Sequence, residues 1–272
     1  NNFKKNIYSQ NGEDGLIEEI IKRLKINNNK NNWCVEFGAW DGKYLSNTYN
    51  LVKNGWNAIY IEGDAIKFKD LLKTKRENKN IIAINKYVSK NKISKNSLDN
   101  ILSDTKIPLK FEILSIDIDS YDLEVWESIV VYKPKIVIIE INSAYPPGII
   151  KWHSEKNKNV NGNSFSATLK VGNEKGYKLI FHSGNMIFIE EEFVDMLNIE
   201  PKYITHPELL YDDTWYSIEK DIFKKFNLKV FAFLKENPYY DDYYIKMKGR
   251  RAYTLRSEAG SNGRWVWEKA QK

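Results

Sequence analysis

The sequence predicts an α/β fold: a doubly wound, mostly parallel seven-stranded sheet with a reversed terminal strand. Three observations carry this. Residues 33–64, WCVEFGAWDGKYLSNTYNLVKNGWNAIYIEGD, read as strand, glycine turn, helix and strand. Apolar runs then keep alternating with segments of helix length as far as KIVIIEIN at 135–142. Last, GYKLIFHSGNMIFIEEE (176–192) holds two apolar runs joined by Ser183-Gly184-Asn185. So short a link makes an antiparallel hairpin, because parallel strands need a crossover of about a dozen residues.

Taken in order, Leu16, Ile17, Ile20, Ile21 and Leu24 recur at helical spacing and form an apolar stripe, with Glu18, Glu19, Lys22 and Arg23 on the wet face. Glu13 and Asp14 fall in the first turn, where acids suit the helix dipole. The preceding YSQNGED reads as capping on spacing alone. Residues 27–32 are a polar loop. In the first strand Val35 and Phe37 alternate with Glu36, and Gly38 and Gly42 let the backbone turn and approach a ligand. Glu62 ends the second strand, about 20 residues after that turn, placed to accept both hydroxyls of a ribose, with Gly63 beside it. Helical spacing returns over 66–75, Ile81–Ile84 is a third strand ending at Asn85, and Ser97 caps SLDNIL before Pro108. FEILSIDIDSYD is the fourth strand with a tail of acids, Asp117, Asp119 and Asp122; Leu123 and Trp126 open the next helix. The fifth strand, after Pro134, is continuously apolar, as a central parallel strand buried on both faces should be. Beyond Glu192 the pattern changes: DIFKKFNLKVFAFLK has helical spacing, and 236–272 is rich in Tyr, Trp and charge. The expected organisation is therefore an N-terminal helix and closing segment (1–32), a core (33–192) and an aromatic-rich extension (193–272). The extension could cap the sheet, stack on a substrate or join copies of the chain in a homo-oligomer.

The 272 residues carry 42 Lys and Arg against 36 acids, a net +6. An Asn/Lys/Ile-rich bias accounts for this better than a nucleic-acid footprint, although Lys246, Lys248, Arg250 and Arg251 cluster locally. The single cysteine, Cys34, lies in the first strand and reads as a small core residue. No apolar run approaches the ~18–20 residues of a membrane span, and no signal peptide is visible. The first residue is not Met, as in a sequence that starts mid-protein. The expectation is a cytoplasmic enzyme with a small-molecule substrate.

The turn lacks GxGxxG, which argues against a dinucleotide enzyme. Its spacing, E-x-G-x-x-x-G from Glu36 to Gly42, resembles motif I of S-adenosylmethionine-dependent methyltransferases, whose cofactor has a ribose but no phosphates. A reversed last strand on a parallel sheet is the Rossmann-like variant of class I methyltransferases. YSQNGEDG, VEFGAWDGKYLSNT and SIDIDSYDLEVW together resemble the FkbM-type methyltransferases over roughly residues 7–190. The resemblance implies S-adenosylmethionine as cofactor, with Gln10 and Glu13 near it, and methylation of a hydroxyl on a sugar, nucleotide-linked sugar or similar small polar metabolite. The alternatives are N-methylation of a small polar compound and a non-catalytic nucleotide-binding module.

Ligands of parallel sheets bind beyond the carboxyl ends of the strands. That rule gathers Glu36, Gly38, Glu62, Asp64, Asp117, Asp119, Glu140 and Asn142, an oxygen-rich set suited to Mg²⁺ or Mn²⁺ rather than zinc. DIDSYDLEVW is also similar to the acid cluster of metal-dependent sugar O-methyltransferases, which implies Asp119, Glu140 and Asn142 as metal ligands. An acid pair after the fifth strand is usual there, and Glu140 with Asn142 departs from it. In the metal-free reading Asp117 lies at the cofactor's edge and Asp119 caps the next helix. A general base is then needed, with His153, in the loop 142–165, as first candidate and Asp119 as its rival. His182 reads as structural, and His206 lies in the less informative tail.

Overall fold

A computed structural model describes residues 3–27, 31–155, 162–212, 242–246, 252–257 and 265–269. The sheet strands are β1 (Trp33–Phe37), β2 (Asn57–Ile61), β3 (Ile81–Ile84), β4 (Lys110–Ile116), β5 (Lys133–Glu140), β6 (Tyr177–Ser183) and β7 (Asn185–Glu190). The helices are α1 (Glu13–Arg23), α2 (Tyr49–Lys53), α3 (Ala65–Glu77), α4 (Leu98–Ser103), α5 (Asp122–Ser128), α6 (Phe165–Glu174) and α7 (Pro201–Thr205). Strand order is β3-β2-β1-β4-β5-β7-β6. Strands β1 to β5 pair in parallel, and β7 runs antiparallel to both β5 and β6. The reversed strand is thus the last of this sheet in chain order but interior in it, and β6 forms the edge. Gly184 alone links the hairpin, at φ 90°.

Period-2 alternation divides the strand residues between two cores. From β1, Val35 and Phe37 join Leu102, Trp126 and Phe165 of α4, α5 and α6 on one face. Cys34 joins the α1 stripe, Leu51 of α2 and Leu71 of α3 on the other. Cys34 is fully buried, and burial pushes its thiol far up, so it behaves as the expected core residue. Helices after β1 and β2 cover one face and those after β3, β4 and β5 the other. The order therefore reverses between β1 and β4, opening a crevice at the carboxyl ends of these two strands.

Two local readings gain detail. In α3, Ile66 is 75% exposed, and the helix is seated by Leu71 and Thr74. Asp64 starts it, its side chain accepting the N–H groups of Ile66 (2.7 Å) and Lys67 (3.0 Å). In α1 the two acids of the first turn are buried and act on the preceding segment. Asp14 Oδ2 accepts the N–H groups of Ile7, Tyr8 and Ser9, each at 2.8 Å, and the Ser9 hydroxyl at 2.7 Å. Ser9 of YSQNGED does cap the helix, its Oγ accepting the Asp14 N–H at 3.0 Å, and the two helix acids in turn hold the segment.

After β7, a 3₁₀ turn (Glu191–Leu197), α7 and a second 3₁₀ turn (Pro207–Leu210) fold back on the sheet. Leu197 enters the α1 side, while Leu210 and Tyr211 pack on the α6 side. Strands β8 (Asp242–Lys246), β9 (Ala252–Ser257) and β10 (Trp265–Lys269) form an antiparallel sheet in the order β10-β9-β8. The helical pattern at 221–235 and Lys248, Arg250 and Arg251 of the basic cluster lie outside the described residues. No helix of the described residues is long and apolar enough to cross a membrane.

His182, on β6, is the latch for the returning segment. Its Nδ1 accepts the Asp212 N–H at 2.9 Å, which leaves the proton on Nε2, 3.0 Å from Ser143 Oγ. Its ring stacks on Tyr211 at 5.4 Å. Burial lowers its pKa to about 4. The unfolded chain therefore binds this proton more readily, and stability should rise with pH from about 4 to about 6.5 and then level off. The full effect is about 3 kcal/mol. Thermal unfolding of the parent and His182→Gln between pH 4 and 7 tests this: the variant should lose that part of the slope.

Candidate active site

At the switch point a cavity of about 620 Å³ opens over the carboxyl ends of β1 to β4. That lies within the range of small-ligand pockets. Gly38, at φ 79°, forms its floor. A Cβ built there would lie 1.6 Å from the Asp117 carbonyl oxygen, so only glycine lets β1 and β4 diverge at this point. Gly42 is also close-packed, though against side chains: its Cβ would meet Leu71 at 2.8 Å and the Tyr60 ring at 2.9 Å. Gly63 lies flat beneath Tyr87, where a Cβ would come within 2.2 Å of the ring.

Glu62 lines the cavity from the tip of β2. Its Oε2 accepts the Trp40 N–H and its Oε1 the Asp64 N–H, both at 2.8 Å. One bond to each oxygen leaves a lone pair on each, which suits a vicinal diol. Glu36 also reaches the cavity but works mainly on the loop before α2. It accepts from Ser46 Oγ at 2.9 Å, from Thr48 N at 3.2 Å and from Thr48 Oγ1. Burial raises its pKa, and these bonds oppose the rise.

The acids divide into a cluster and a brace. Asp117, Asp119 and Glu140 each place a carboxylate oxygen within 4.8 Å of the others. The side chains of Asp117 and Glu140 hydrogen-bond to each other, and burial, reinforced by neighbouring acids, holds both well above the usual carboxylate range. Asp119 sits in the left-handed region at φ 58°, an uncommon conformation that aspartate tolerates. The N-cap residue of α5 is Tyr121 rather than Asp119, and it makes no side-chain cap bond; Asp122 instead braces the loop before the helix, accepting from Ile118 N at 2.7 Å and Ser120 N at 2.9 Å, and burial lifts its pKa to about 6. Three clustered oxygens have the chemistry of a hard-cation site. Asn142, the third expected ligand, uses its Oδ1 to accept the Ala144 N–H at 2.9 Å in a turn.

Gln10 and Glu13 do not line the large cavity. Gln10 lines a second, narrow cleft that shares Asp117 and Leu45 with the cavity. Glu13 is fully buried behind it, accepting the Asn11 N–H at 2.7 Å and Asn185 Nδ2 at 2.9 Å. His153 lies one ring away from the cavity, edge-on to Tyr121 at 4.6 Å, and Tyr121 is a lining residue. The buried His153 Nδ1 has no hydrogen-bond partner among the described residues, and burial lowers its pKa. His206 sits on the surface beside Glu208.

Residues not anticipated are Trp40, Tyr44, Lys67, Lys86, Tyr87 and Tyr121, which rim the cavity. Lys67 Nζ lies 4.8 Å from the Trp40 ring centroid. A signal existed for Lys86 and Tyr87, which directly follow the predicted end of the third strand. Residues there face the ligand edge of a parallel sheet.

No family model matches the chain, and no curated protein matches it. Solved structures do. TrmK of M. capricolum, in complex with the cofactor product S-adenosyl-homocysteine, is 15% identical, with 68% of this chain and 73% of that chain covered and a TM-score of 0.38. The CurJ carbon methyltransferase is 10% identical over 68% of this chain and 56% of that one, with a TM-score of 0.44. A SAM-dependent methyltransferase from Aquifex aeolicus is 12% identical over 63% and 85%, with a TM-score of 0.37. What defines the fold is the strand order. A parallel sheet with β7 reversed between β5 and β6 is the class I methyltransferase arrangement.

Proposed function

We propose that the chain is an S-adenosylmethionine-dependent methyltransferase that methylates a hydroxyl of a small polar acceptor of the sugar or nucleotide-linked sugar class. The observation that supports this best is the pairing of Gly38 with Glu62 across one cavity at the switch point. A backbone floor with no room for a side chain faces a carboxylate with a lone pair free on each oxygen. When bound, the cofactor supplies an activated methyl group on a sulfonium that is its own leaving group. The chain's work is alignment and proton handling.

Glu62 binds the ribose, Gly38 admits the methionine end, and Tyr87, lying over Gly63, offers a flat face beside the ribose. Trp40 and Tyr44, 40% and 48% exposed and edge-on to each other at 5.7 Å, give an acceptor ring apolar faces to lie on. For the proton, Asp119 is the better placed base because it lines the cavity, whereas His153 stands behind Tyr121. Were a divalent cation used, Asp117, Asp119 and Glu140 would hold it, and it would acidify the acceptor hydroxyl.

Glu62→Ala should weaken S-adenosylhomocysteine binding by about 1–3 kcal/mol, leaving the Trp40 and Asp64 N–H groups and the ribose unmatched. Calorimetry reads this directly, and unchanged affinity would remove Glu62 from the site. For the acceptor, transfer of labelled methyl onto a panel of nucleotide sugars is the test. Labelling confined to RNA or to amines would overturn the hydroxyl assignment.

A further inference from the structure

The narrow cleft beside the cavity is lined by Gln10, Asn47, Asp117, Glu140 and Asn185, among others, and, among the described residues, by no Lys or Arg. Its volume is about 50 Å³, room for a group of a few heavy atoms. Asn185 is 8% exposed, and it is the direct cross-strand partner of Glu140 between β7 and β5. Paired positions on adjacent strands point to the same face, so the amide and the carboxyl stand side by side.

The orientation of the Asn185 amide is fixed. Glu13 Oε1 takes the Nδ2 hydrogen at 2.9 Å, and a carboxylate in that position accepts rather than donates. Asn185 Oδ1 is therefore the atom left over, buried and with no donor among the described residues. A buried acceptor in that state calls for a ligand with an N–H or O–H. Around it stand the oxygens of Asp117 and Glu140. A hydroxyl would offer one donor and turn its own lone pairs toward carboxyl oxygens. A primary ammonium offers three donors and no acceptor.

We propose that this cleft holds a primary ammonium group of the acceptor molecule, with Asn185 Oδ1, Asp117 and Glu140 receiving its N–H groups. The role assigned to the ammonium rests on the methyltransferase reading; the site itself does not. The acceptor class narrows to amine-bearing polar molecules, such as amino sugars, anchored by the amine while another part reaches the cavity. An anionic group, such as the pyrophosphate of a nucleotide-linked sugar, is excluded from the cleft and must lie elsewhere.

Minimal probes test this without knowledge of the scaffold. The full chain, ¹⁵N-labelled, is titrated with methylammonium chloride while the side-chain amide signals of Asn185 and Gln10 are followed by NMR. Methanol, tetramethylammonium chloride and MgCl₂ are titrated in parallel. Saturable shifts with methylammonium alone are expected, and Asn185→Leu should weaken them about tenfold or more. Equal shifts with tetramethylammonium would mean charge attraction without a hydrogen-bonding site, and equal shifts with methanol a hydroxyl site. Tight Mg²⁺ binding that blocks methylammonium would make this a metal site. Each of these, or no shift at all, overturns the proposal. If Asn185→Leu does not fold, the comparison of probes on the parent protein decides alone. Calorimetry with S-adenosylhomocysteine is run separately. Amine binding without S-adenosylhomocysteine binding would keep the cleft and remove the methyltransferase reading.

Discussion

Gly38→Ala should abolish cofactor binding and cost roughly 3–5 kcal/mol of stability, the sum of a left-handed backbone forced on a Cβ residue and a direct overlap. The overlap is with backbone, the Asp117 carbonyl oxygen at 1.6 Å, so no side-chain rotation relieves it. The strands themselves must shift. Gly38 N and Ala39 N both donate to the Ile61 carbonyl oxygen, at 3.1 and 3.2 Å, and Asp117 N donates to the Phe37 carbonyl oxygen at 3.3 Å. Moving Gly38 therefore disturbs β2 and β4 together, along with Glu62 and the Asp117 cluster at their tips. Gly148→Ala is the comparison: it also has positive φ, but its Cβ would meet nothing within 4 Å among the described residues. It should cost only the backbone part, about 1–3 kcal/mol, and leave cofactor affinity intact. Thermal unfolding and calorimetry on the two variants separate a general glycine effect from the one at the switch point.

The same region shows what the sequence makes legible. Strands one to five and the hairpin could be read because burial on two faces demands apolar runs and a one-glycine link permits only reversal. The tips of β1, β2 and β4 followed from the rule that ligands meet parallel strands at their carboxyl ends. What could not be read are relations between distant residues. The hairpin does not say which of its strands faces β5, so the insertion of β7, and with it the pairing of Asn185 with Glu140, is invisible in one dimension. The amide expected beside Glu140 was Asn142, its near neighbour in sequence. Asn142 is engaged with the Ala144 N–H, and the amide in the cleft comes from across the sheet. Asp14 does more than its place in the sequence shows. Its position in the first turn fits the dipole rule, but its side chain is occupied by three backbone N–H groups of the segment before the helix. The path of the loop carrying His153 is set by neither periodicity nor turn chemistry, so its distance from the cavity emerged only in three dimensions.

The assignment of the proton acceptor leads to the second large effect. Asp119→Asn should lower turnover about 10²–10⁴-fold, the usual contribution of a positioned base, with S-adenosylhomocysteine affinity unchanged. Asparagine keeps the side chain's shape and also tolerates a positive φ, so the loop from Ile118 to Tyr121, held by Asp122, should stay in place. His153→Ala should have a smaller effect, because the ring reaches the cavity only through Tyr121. The pH profile adds an independent reading. Burial lowers the His153 pKa, so a His153 base would keep activity level through neutral pH and lose it in acid below the ordinary histidine value. A carboxylate base beside the buried Asp117–Glu140 pair would instead couple to a proton held well above the usual carboxylate range. A chelator titration completes the set. If chelation abolishes turnover and Mg²⁺ or Mn²⁺ restores it while S-adenosylhomocysteine still binds, Asp119 acts as a ligand and the base is dispensable. If chelation changes nothing and only Asp119→Asn is inactive, Asp119 takes the proton itself. Loss of activity in His153→Ala with Asp119→Asn active would reverse the assignment and require Tyr121 to swing aside when the acceptor binds.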